Sequence, residues 1–336
     1  MSGLIVRRRV AKISNEIRVP ILTESRPIVL VTGANGFVGR HVVRALARQG
    51  WAVRRAVRSA SGNGDEVLIG SVGAATDWRA ALAGVEAVVH LAAHVHRPNE
   101  EREVELYRAV NVEGTLHLAR CAASAGVRQF IFVSSVLVLG RSTDGRAPFT
   151  ENDSLTPRGV YGSSKAAAET GLKALAGNGG MRITVVRPPL VYGAGARGNF
   201  QLLARAVKLG IPLPFAAVRN HRAVLSVENL ASFILQRLSR AEASFDVFLL
   251  ADEEQVSTPE FIRRLAKAAG AGSRLFPVPT ALLSAVFRIS RQQDAHDSLL
   301  GSLELDVSKA ASTGWRPQIG LDEGLRLAMT GPADDA

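Results

Sequence analysis

Tyr161 and Lys165 are four residues apart and could form a proton-transfer pair. A phenol has an ordinary pKa of about 10, so it is a poor acid or base at neutral pH unless a nearby cation stabilises the phenolate. Side chains four residues apart on a helix share one face, where Lys165 would supply that charge. An ordinary surface helix has the same spacing, so the surroundings must decide between the two interpretations.

Three glycines near the amino terminus provide a second chemical feature. Gly33, Gly36 and Gly39 form the pattern Thr-Gly-x-x-Gly-x-x-Gly, directly after the apolar run 28–31 and before an amphipathic stretch. Gly33 permits backbone angles that other residues avoid, Gly36 lets the chain approach a pyrophosphate, and Gly39 lets the helix lie close to the strand. The free N–H groups of that helix would face the phosphates. The pattern predicts a dinucleotide-binding turn between a strand and a helix.

Apolar runs alternate with helical periodicity along the first half of the chain. The predicted strands are 28–31, 52–57, 67–69, 87–90, 130–133 and 183–186. The predicted helices are 38–48, 78–83, 101–125 and 161–177, followed by 199–209 and 228–239. This alternation predicts an α/β fold, a Rossmann-type doubly wound parallel sheet with a smaller C-terminal substrate-binding α/β part.

The expected organisation is in three parts. Residues 1–26 form a basic leader, which we expect to be mobile, and 27–189 form the dinucleotide-binding domain. Residues 190–330 form mainly the substrate domain, with possible returns to the sheet. Glycines and prolines between 193 and 214 mark the change in character.

Composition narrows the class of protein. The 336 residues carry a net charge of +11, of which the leader contributes +4, and the rest is scattered as single arginines. Aromatic and basic residues do not alternate, which disfavours nucleic-acid binding. No apolar run has the length of a membrane span, and a single cysteine, Cys121, rules out an intrachain disulfide. We therefore expect a cytoplasmic protein without an integral membrane segment.

Several motifs occur in a fixed order, and together they resemble a known family. They are the glycine turn, Val88-Val89-His90-Leu91-Ala92-Ala93, Val133-Ser134-Ser135, Tyr161-Gly-Ser-Ser-Lys165 and Arg187-Pro188-Pro189. In this order they resemble the extended short-chain dehydrogenase/reductases, in the branch of nucleotide-sugar 4-epimerases and 4-keto reductases. The resemblance spans about residues 27–330. It implies a nicotinamide cofactor, a UDP-sugar substrate and a homodimer.

The resemblance also assigns roles to residues. Ser135, Tyr161 and Lys165 would be catalytic, with Ser135 holding the substrate oxygen and Lys165 also bonding the nicotinamide ribose. Ser134 is the neighbouring alternative to Ser135. The implied cofactor contacts are Gly33, Gly36, Phe37, Val38, Gly39, Arg58, Leu91, Ala92, Ala93, Tyr161, Lys165 and Pro188.

For the substrate, the resemblance points to Ser135, Asn199 and Arg222. The last two match positions that hold the nucleotide diphosphate, and the planar fork of an arginine suits a diphosphate. Asn111 resembles a helix-embedded asparagine that bonds backbone near the active site.

A histidine cluster raises the question of a metal. His90, His94 and His96 lie close together in the sequence, but no carboxylate or cysteine completes a ligand set. We predict no metal site.

The end of the second predicted strand bears on the cofactor. NAD-binding chains of this fold usually have an acidic residue there for the ribose hydroxyl. This chain has Val57 followed by Arg58. No carboxylate would repel a 2′-phosphate, and Arg58 could bind one, so NADP is favoured and NAD is the alternative.

Three functions fit the sequence. The leading hypothesis is an NADPH-dependent reductase of a 4-keto nucleotide sugar, with UDP-4-keto-6-deoxy-N-acetylglucosamine as the best candidate, in surface polysaccharide synthesis. The alternative is an NAD-dependent UDP-hexose 4-epimerase acting on UDP-glucose or UDP-N-acetylglucosamine with the same residues. A nonenzymatic NADP-sensing protein is the third, disfavoured because both Tyr161 and Lys165 are present. Val136 and Leu137 replace the Asp-Glu pair of related 4,6-dehydratases, which argues against dehydration.

Overall fold

A computed structural model describes most of the chain. The described residues are 26–60, 62–95, 102–177, 180–240, 242–290 and 293–330, without the side chain of residue 294. The leader therefore lies outside the described residues, apart from Arg26. No helix among these ranges is both long and apolar enough to cross a membrane.

Seven parallel strands form the central sheet, in the order β3-β2-β1-β4-β5-β6-β9. Two short strands, β7 and β8, pair separately. The strands are β1 (Ile28–Thr32), β2 (Ala52–Val57), β3 (Glu66–Leu68), β4 (Ala87–His90), β5 (Gln129–Val133), β6 (Arg182–Arg187), β7 (Leu190–Tyr192), β8 (Val224–Ser226) and β9 (Phe245–Leu249). All six predicted strands exist, each end within one residue of its predicted position, and the predicted fold class is confirmed.

Helices cover both faces of this sheet and build the C-terminal part. They are α1 (Phe37–Arg48), α2 (Arg79–Leu82), α3 (Val104–Tyr107), α4 (Thr115–Ser124), α5 (Gly159–Ala176), α6 (Asn199–Lys208), α7 (Val227–Arg240), α8 (Thr258–Ala268), α9 (Thr280–Ile289), α10 (Gln293–Leu299), α11 (Ser308–Ser312) and α12 (Leu321–Thr330). One apolar cluster joins the sheet to α4 and α5, and another joins its opposite face to α1 and α7. Burial on both faces explains why the inner strands β1, β4 and β5 are nearly continuous apolar runs instead of alternating ones.

The long helix predicted at 101–125 is interrupted. Residues Arg108–Gly114 form a π-helical segment between α3 and α4. A wider turn of this kind is a common feature of functional sites, and no apolar periodicity announces it. At its end, a Cβ on Gly114 would lie 2.6 Å from Cγ1 of Val72, so the small residue allows the segment to pack closely.

The parallel topology places all the strand ends at one edge of the sheet. Gly33, Arg58, Leu91, Ser134 and Pro188 each follow the carboxyl end of a strand. Successive strands extend the sheet to one side from β1 and to the other side from β4, so a crevice opens between these two strands, and ligands of such sheets bind at this point.

The C-terminal part contributes to the same sheet. β9 pairs with β6, and Trp315 packs against Phe233 of α7. A separate apolar cluster, around Tyr192, Phe200 and Phe261, holds α6, α8 and α12 together beside the crevice. Phe37, at the start of α1, packs against this cluster, so the C-terminal part adjoins the glycine turn.

Candidate active site

The glycine turn is a tight backbone cradle. Gly33 has a φ of 68°, and a Cβ there would lie 2.8 Å from the backbone nitrogen of Ala92. A Cβ on Gly39 would lie 2.1 Å from the carbonyl oxygen of Gly33. Both positions therefore exclude side chains, as a turn that approaches a pyrophosphate closely requires.

The amino end of α1 fits an anion. Gly36 caps the helix without a side chain, and the first turn contains no acidic residue. Phe37 and Val38 begin the helix, so their N–H groups lack partners one turn earlier and carry the positive end of the helix dipole. This chemistry suits a dinucleotide's phosphates.

The segment after β4 forms one wall beside the glycine turn. Oγ1 of Thr32 accepts hydrogen bonds from the backbone nitrogens of Leu91 and Ala92, at 3.2 and 3.1 Å. The ring of His90 is fully buried and is bonded to Thr32 and Thr115. Burial lowers the pKa of His90 to about 3, so the ring is neutral and has a structural role.

Three arginines near the end of β2 differ in their partners and exposure. Arg54 donates to the carbonyl oxygens of Ala81 and Ala83, and Arg55 pairs with Asp65. Arg58, one residue beyond the strand, is exposed. Arg58 is therefore the cation of the three that extends beyond the strand end, where the adenosine ribose lies in this fold.

Lys165 links α5 to the end of β5. Its Nζ donates to the carbonyl oxygen of Val133 at 2.9 Å, and lies 4.5 Å from the centre of the Phe132 ring and 5.9 Å from that of Tyr161. The side chain is 2% exposed, and this burial lowers its pKa from 10.5 to about 7. A buried amine that titrates near neutrality is characteristic of functional sites.

Ser135 and Tyr161 are the other members of the predicted catalytic set. The Oγ of Ser135 accepts a hydrogen bond from the backbone nitrogen of Leu137 at 3.2 Å, which leaves its proton to donate. Tyr161 and Ser135 are both partly exposed, whereas Ser134 is buried, with no partner for its Oγ among the described residues. Accessibility therefore favours Ser135 over Ser134.

Sequence reasoning missed a buried ion pair behind Lys165. Arg187, at the end of β6, donates to both carboxylate oxygens of Glu169 at 2.7 to 3.2 Å. Glu169 lies one turn after Lys165, and its charge opposes the effect of burial on the lysine pKa. The spacing Lys-x-x-x-Glu could have indicated a carboxylate beside Lys165, but not the partner Arg187.

Asn111 fixes the loop beyond β4. From the π-helical segment its Oδ1 accepts from the backbone nitrogen of His94 at 2.7 Å, and its Nδ2 donates to the carbonyl oxygen of His94 and to Oγ of Ser164. Ser164 in turn donates to the carbonyl oxygen of Tyr161. Asn111 therefore connects the cofactor wall to the helix of the proton-transfer pair.

Asn199 and Arg222 line one cavity of about 330 Å³. Its other walls are mostly apolar, with Phe200, Phe215 and Phe261 among them. Nη1 of Arg222 donates to the carbonyl oxygens of Asp297 and Gly301, at 2.7 and 2.8 Å. The guanidinium is thus positioned by backbone contacts, not free in solvent.

A second, more polar cavity of about 570 Å³ begins at Leu139, directly after the short helical turn Val136–Val138 that follows Ser135. Leu139, Gly140 and Gly159 line it, together with Arg158. Asp297 also lines it, and its carbonyl oxygen is the one bonded to Arg222. The two cavities therefore share α10 as a wall.

Titratable side chains do not assemble a metal site in the described ranges. No group of three or more His, Cys, Asp or Glu is placed to hold a metal there. His94 is paired with Glu103, and His96 lies outside the described residues.

The arrangement is typical of an enzyme that binds a dinucleotide and transfers a proton. A phosphate-accepting helix end, a close backbone cradle and a buried lysine beside a tyrosine meet at the carboxyl edge of a parallel sheet. The cradle fits a nicotinamide dinucleotide. The residues placed around that edge are Gly33, Gly36, Phe37, Val38, Gly39, Leu91, Ala92, Ala93 and Pro188.

Comparison with known proteins identifies the family. Residues 29–251 match the model of the NAD dependent epimerase/dehydratase family. The chain belongs to this family and is an enzyme of its oxidoreductase and epimerase type.

Three similar proteins illustrate the relationship. The chain is 38% identical over 305 residues to the UDP-glucose 4-epimerase of Vibrio cholerae, covering 89% of this chain and 93% of that protein. It is 27% identical to the N-acetyl-alpha-D-glucosaminyl-diphospho-ditrans,octacis-undecaprenol 4-epimerase of Escherichia coli O157:H7, covering 88% and 92%. The solved structure of MoeE5 in complex with UDP-glucuronic acid and NAD has a TM-score of 0.74 at 25% identity, covering 90% and 97%.

The lowered pKa of Lys165 predicts how the free energy of unfolding depends on pH. Between pH 7 and pH 10.5 the unfolded chain keeps a proton that the folded chain releases, so the destabilisation by Lys165 is complete below pH 7 and disappears as pH rises to 10.5. Lys165→Met removes this titration. We expect its free energy of unfolding, relative to wild type, to be higher near pH 7 than near pH 10 by at least about 1 kcal/mol.

Urea unfolding of both proteins at the two pH values measures this difference. Lys173→Met, on the exposed face of the same helix, is the matched control and should show no such pH dependence. A difference between Lys165→Met and wild type that is the same at both pH values would contradict the assigned pKa.

Proposed function

We propose that the protein inverts C4 of a UDP-hexose or UDP-N-acetylhexosamine by temporary oxidation. The observation that carries the proposal is the buried Lys165 beside Tyr161 at the end of β5, in a chain 38% identical to a UDP-glucose 4-epimerase. A bound nicotinamide ring would supply the two-electron acceptor and donor for C4.

The chain's own residues would handle the proton and the oxygen. Tyr161 removes the proton from the C4 hydroxyl and returns it, and Ser135 donates a hydrogen bond to the same oxygen. The ammonium of Lys165 favours the charged phenolate electrostatically. Its bond to Val133 and the contact of its Nζ with the Phe132 ring keep the amine on that side of α5.

The two cavities suggest how the substrate would lie. The sugar must lie against Ser135 and Tyr161, beside the polar cavity that Leu139 and Gly159 line. The apolar cavity takes the nucleotide, with Asn199 and Arg222 at the diphosphate between them. Since Nη1 of Arg222 is held by backbone oxygens, the rest of its fork is oriented before substrate arrives.

A second candidate function is reduction of a 4-keto UDP-sugar by NADPH. This is the leading hypothesis from the sequence analysis. The observation that favours it is exposed Arg58 after Val57, with no carboxylate to repel a 2′-phosphate. A reductase needs an exchangeable cofactor, and an epimerase retains its own. The cofactor that copurifies with the protein therefore separates the two functions. A cytoplasmic location and a homodimer are further predictions.

Tyr161→Phe tests the proposed chemistry. It keeps the ring and its packing but deletes the transferable proton, so turnover should fall about 10² to 10⁴ fold while cofactor and UDP affinities persist. The assays are C4 inversion of UDP-glucose and UDP-N-acetylglucosamine, and NADPH oxidation with a 4-keto UDP-sugar. Ser163→Ala, an exposed change on the same helix, is the control. Near-normal turnover by Tyr161→Phe would show that the active site is wrongly assigned.

Cofactor preference is tested at the end of β2. The second candidate function predicts that the wild type binds NADP more tightly than NAD. Val57→Asp combined with Arg58→Ala should move the preference toward NAD by about 1 to 3 kcal/mol, the scale of one or two charged hydrogen bonds. Calorimetric titration of both cofactors measures the shift, with Arg44→Ala on the exposed face of α1 as control. Wild-type affinity for NAD equal to that for NADP would contradict the NADP preference and favour the epimerase over the reductase.

A further inference from the structure

Six large apolar side chains of the C-terminal part are exposed. They are Leu209, Ile211, Phe276, Leu282, Val286 and Ile289, and we call them the apolar face. Their exposed fractions range from 42% for Phe276 to 82% for Ile289. Single exposed apolar residues are ordinary, but several in neighbouring segments indicate a contact surface.

Backbone contacts bring two of these segments together. The backbone nitrogen of Leu213 donates to the carbonyl oxygen of Arg274 at 2.9 Å, and that of Phe276 donates to Leu213 at 3.1 Å. Residues 209–213 therefore lie beside 274–276, and α9 begins four residues after Phe276.

Helix α9 presents one apolar stripe to its own core and a second one outward. Leu283 and Phe287 belong to the apolar cluster of the C-terminal part. Leu282, Val286 and Ile289 follow the spacing of one helical face and are each more than half exposed. A soluble surface helix would normally carry polar residues at these positions.

Within the two segments that carry the apolar face, every charged residue is a cation. Residues 199–217 and 271–290 contain no aspartate or glutamate. They contain Arg205, Lys208, Arg274 and Arg288, which are all exposed. Exposed apolar side chains with only cations in the same segments match the surface of an anionic bilayer, where the cations meet headgroups and the apolar groups enter the acyl boundary.

We propose that the apolar face docks the protein on an anionic phospholipid bilayer. A second copy of this chain is a poorer occupant, because two such faces would bring eight like charges together. Docking would also orient the enzyme. Leu202 is 68% exposed on α6, the helix that carries Arg205 and Lys208, and it lines the cavity of Asn199 and Arg222. That cavity would lie close to the headgroups.

Vesicle cosedimentation of the full chain tests the proposal. The probes are vesicles of phosphatidylcholine alone and vesicles that also contain phosphatidylglycerol. We expect binding only to the anionic vesicles, weakening as salt is added. Leu282→Ser, Val286→Ser and Ile289→Ser combined should weaken binding at least about tenfold. Arg205→Glu with Arg274→Glu should weaken it by about fivefold or more for each position.

The matched control places the same types of change elsewhere. Leu68→Ser with Arg240→Glu alters an exposed leucine on the sheet edge and an exposed arginine on α7, and should bind like wild type. Thermal unfolding shows whether each variant is folded. Folded variants of the face that bind as well as wild type would place attachment elsewhere, including the basic leader, and overturn the proposal. Absence of wild-type binding to anionic vesicles would overturn it too. A dimer in solution that only the serine variant dissociates would assign the face to a second copy instead.

Discussion

The amine of Lys165 is buried against the carbonyl oxygen of Val133, and this contact organises the site. Burying a cation is unfavourable unless a partner is present, so the end of β5 and the helix α5 must hold one fixed distance. That distance sets where Tyr161, one turn earlier, stands relative to Ser135, two residues beyond Val133. The ion pair of Glu169 with Arg187 secures the same helix to β6. The acid-base group therefore depends on a strand, a helix and the neighbouring strand at once.

A second constraint is the close approach of backbone to backbone around the glycine turn. Gly33 and Gly39 leave no space for a Cβ, so α1 and the segment after β4 close around the same point. Hydrogen bonds from Leu91 and Ala92 to Thr32 hold that segment. Asn111 then carries the alignment to α5 through His94 and Ser164. The cofactor cradle and the proton-transfer pair are thus parts of one hydrogen-bonded unit.

Much of this arrangement could be predicted from the sequence, because local patterns determine it. Continuous apolar runs gave the strands, and the spacing of Tyr161 and Lys165 gave one face of α5. What could not be predicted depends on distant contacts. The π-helical turn at Arg108–Gly114 leaves the apolar periodicity unbroken. The backbone partners of Arg222 lie 75 and 79 residues away along the chain, so no local pattern reports them. Exposure of Leu282 and Val286 also follows only from how α9 packs.

The fate of the hydrogen on C4 tests the central claim most directly. The experiment uses the UDP-hexose that the enzyme inverts, labelled with deuterium at C4, and follows the label by NMR. Inversion by temporary oxidation, with Tyr161 moving only the hydroxyl proton, predicts that the product keeps deuterium on C4. Loss of the label to solvent would mean that C4 is inverted by deprotonation, and would contradict the account.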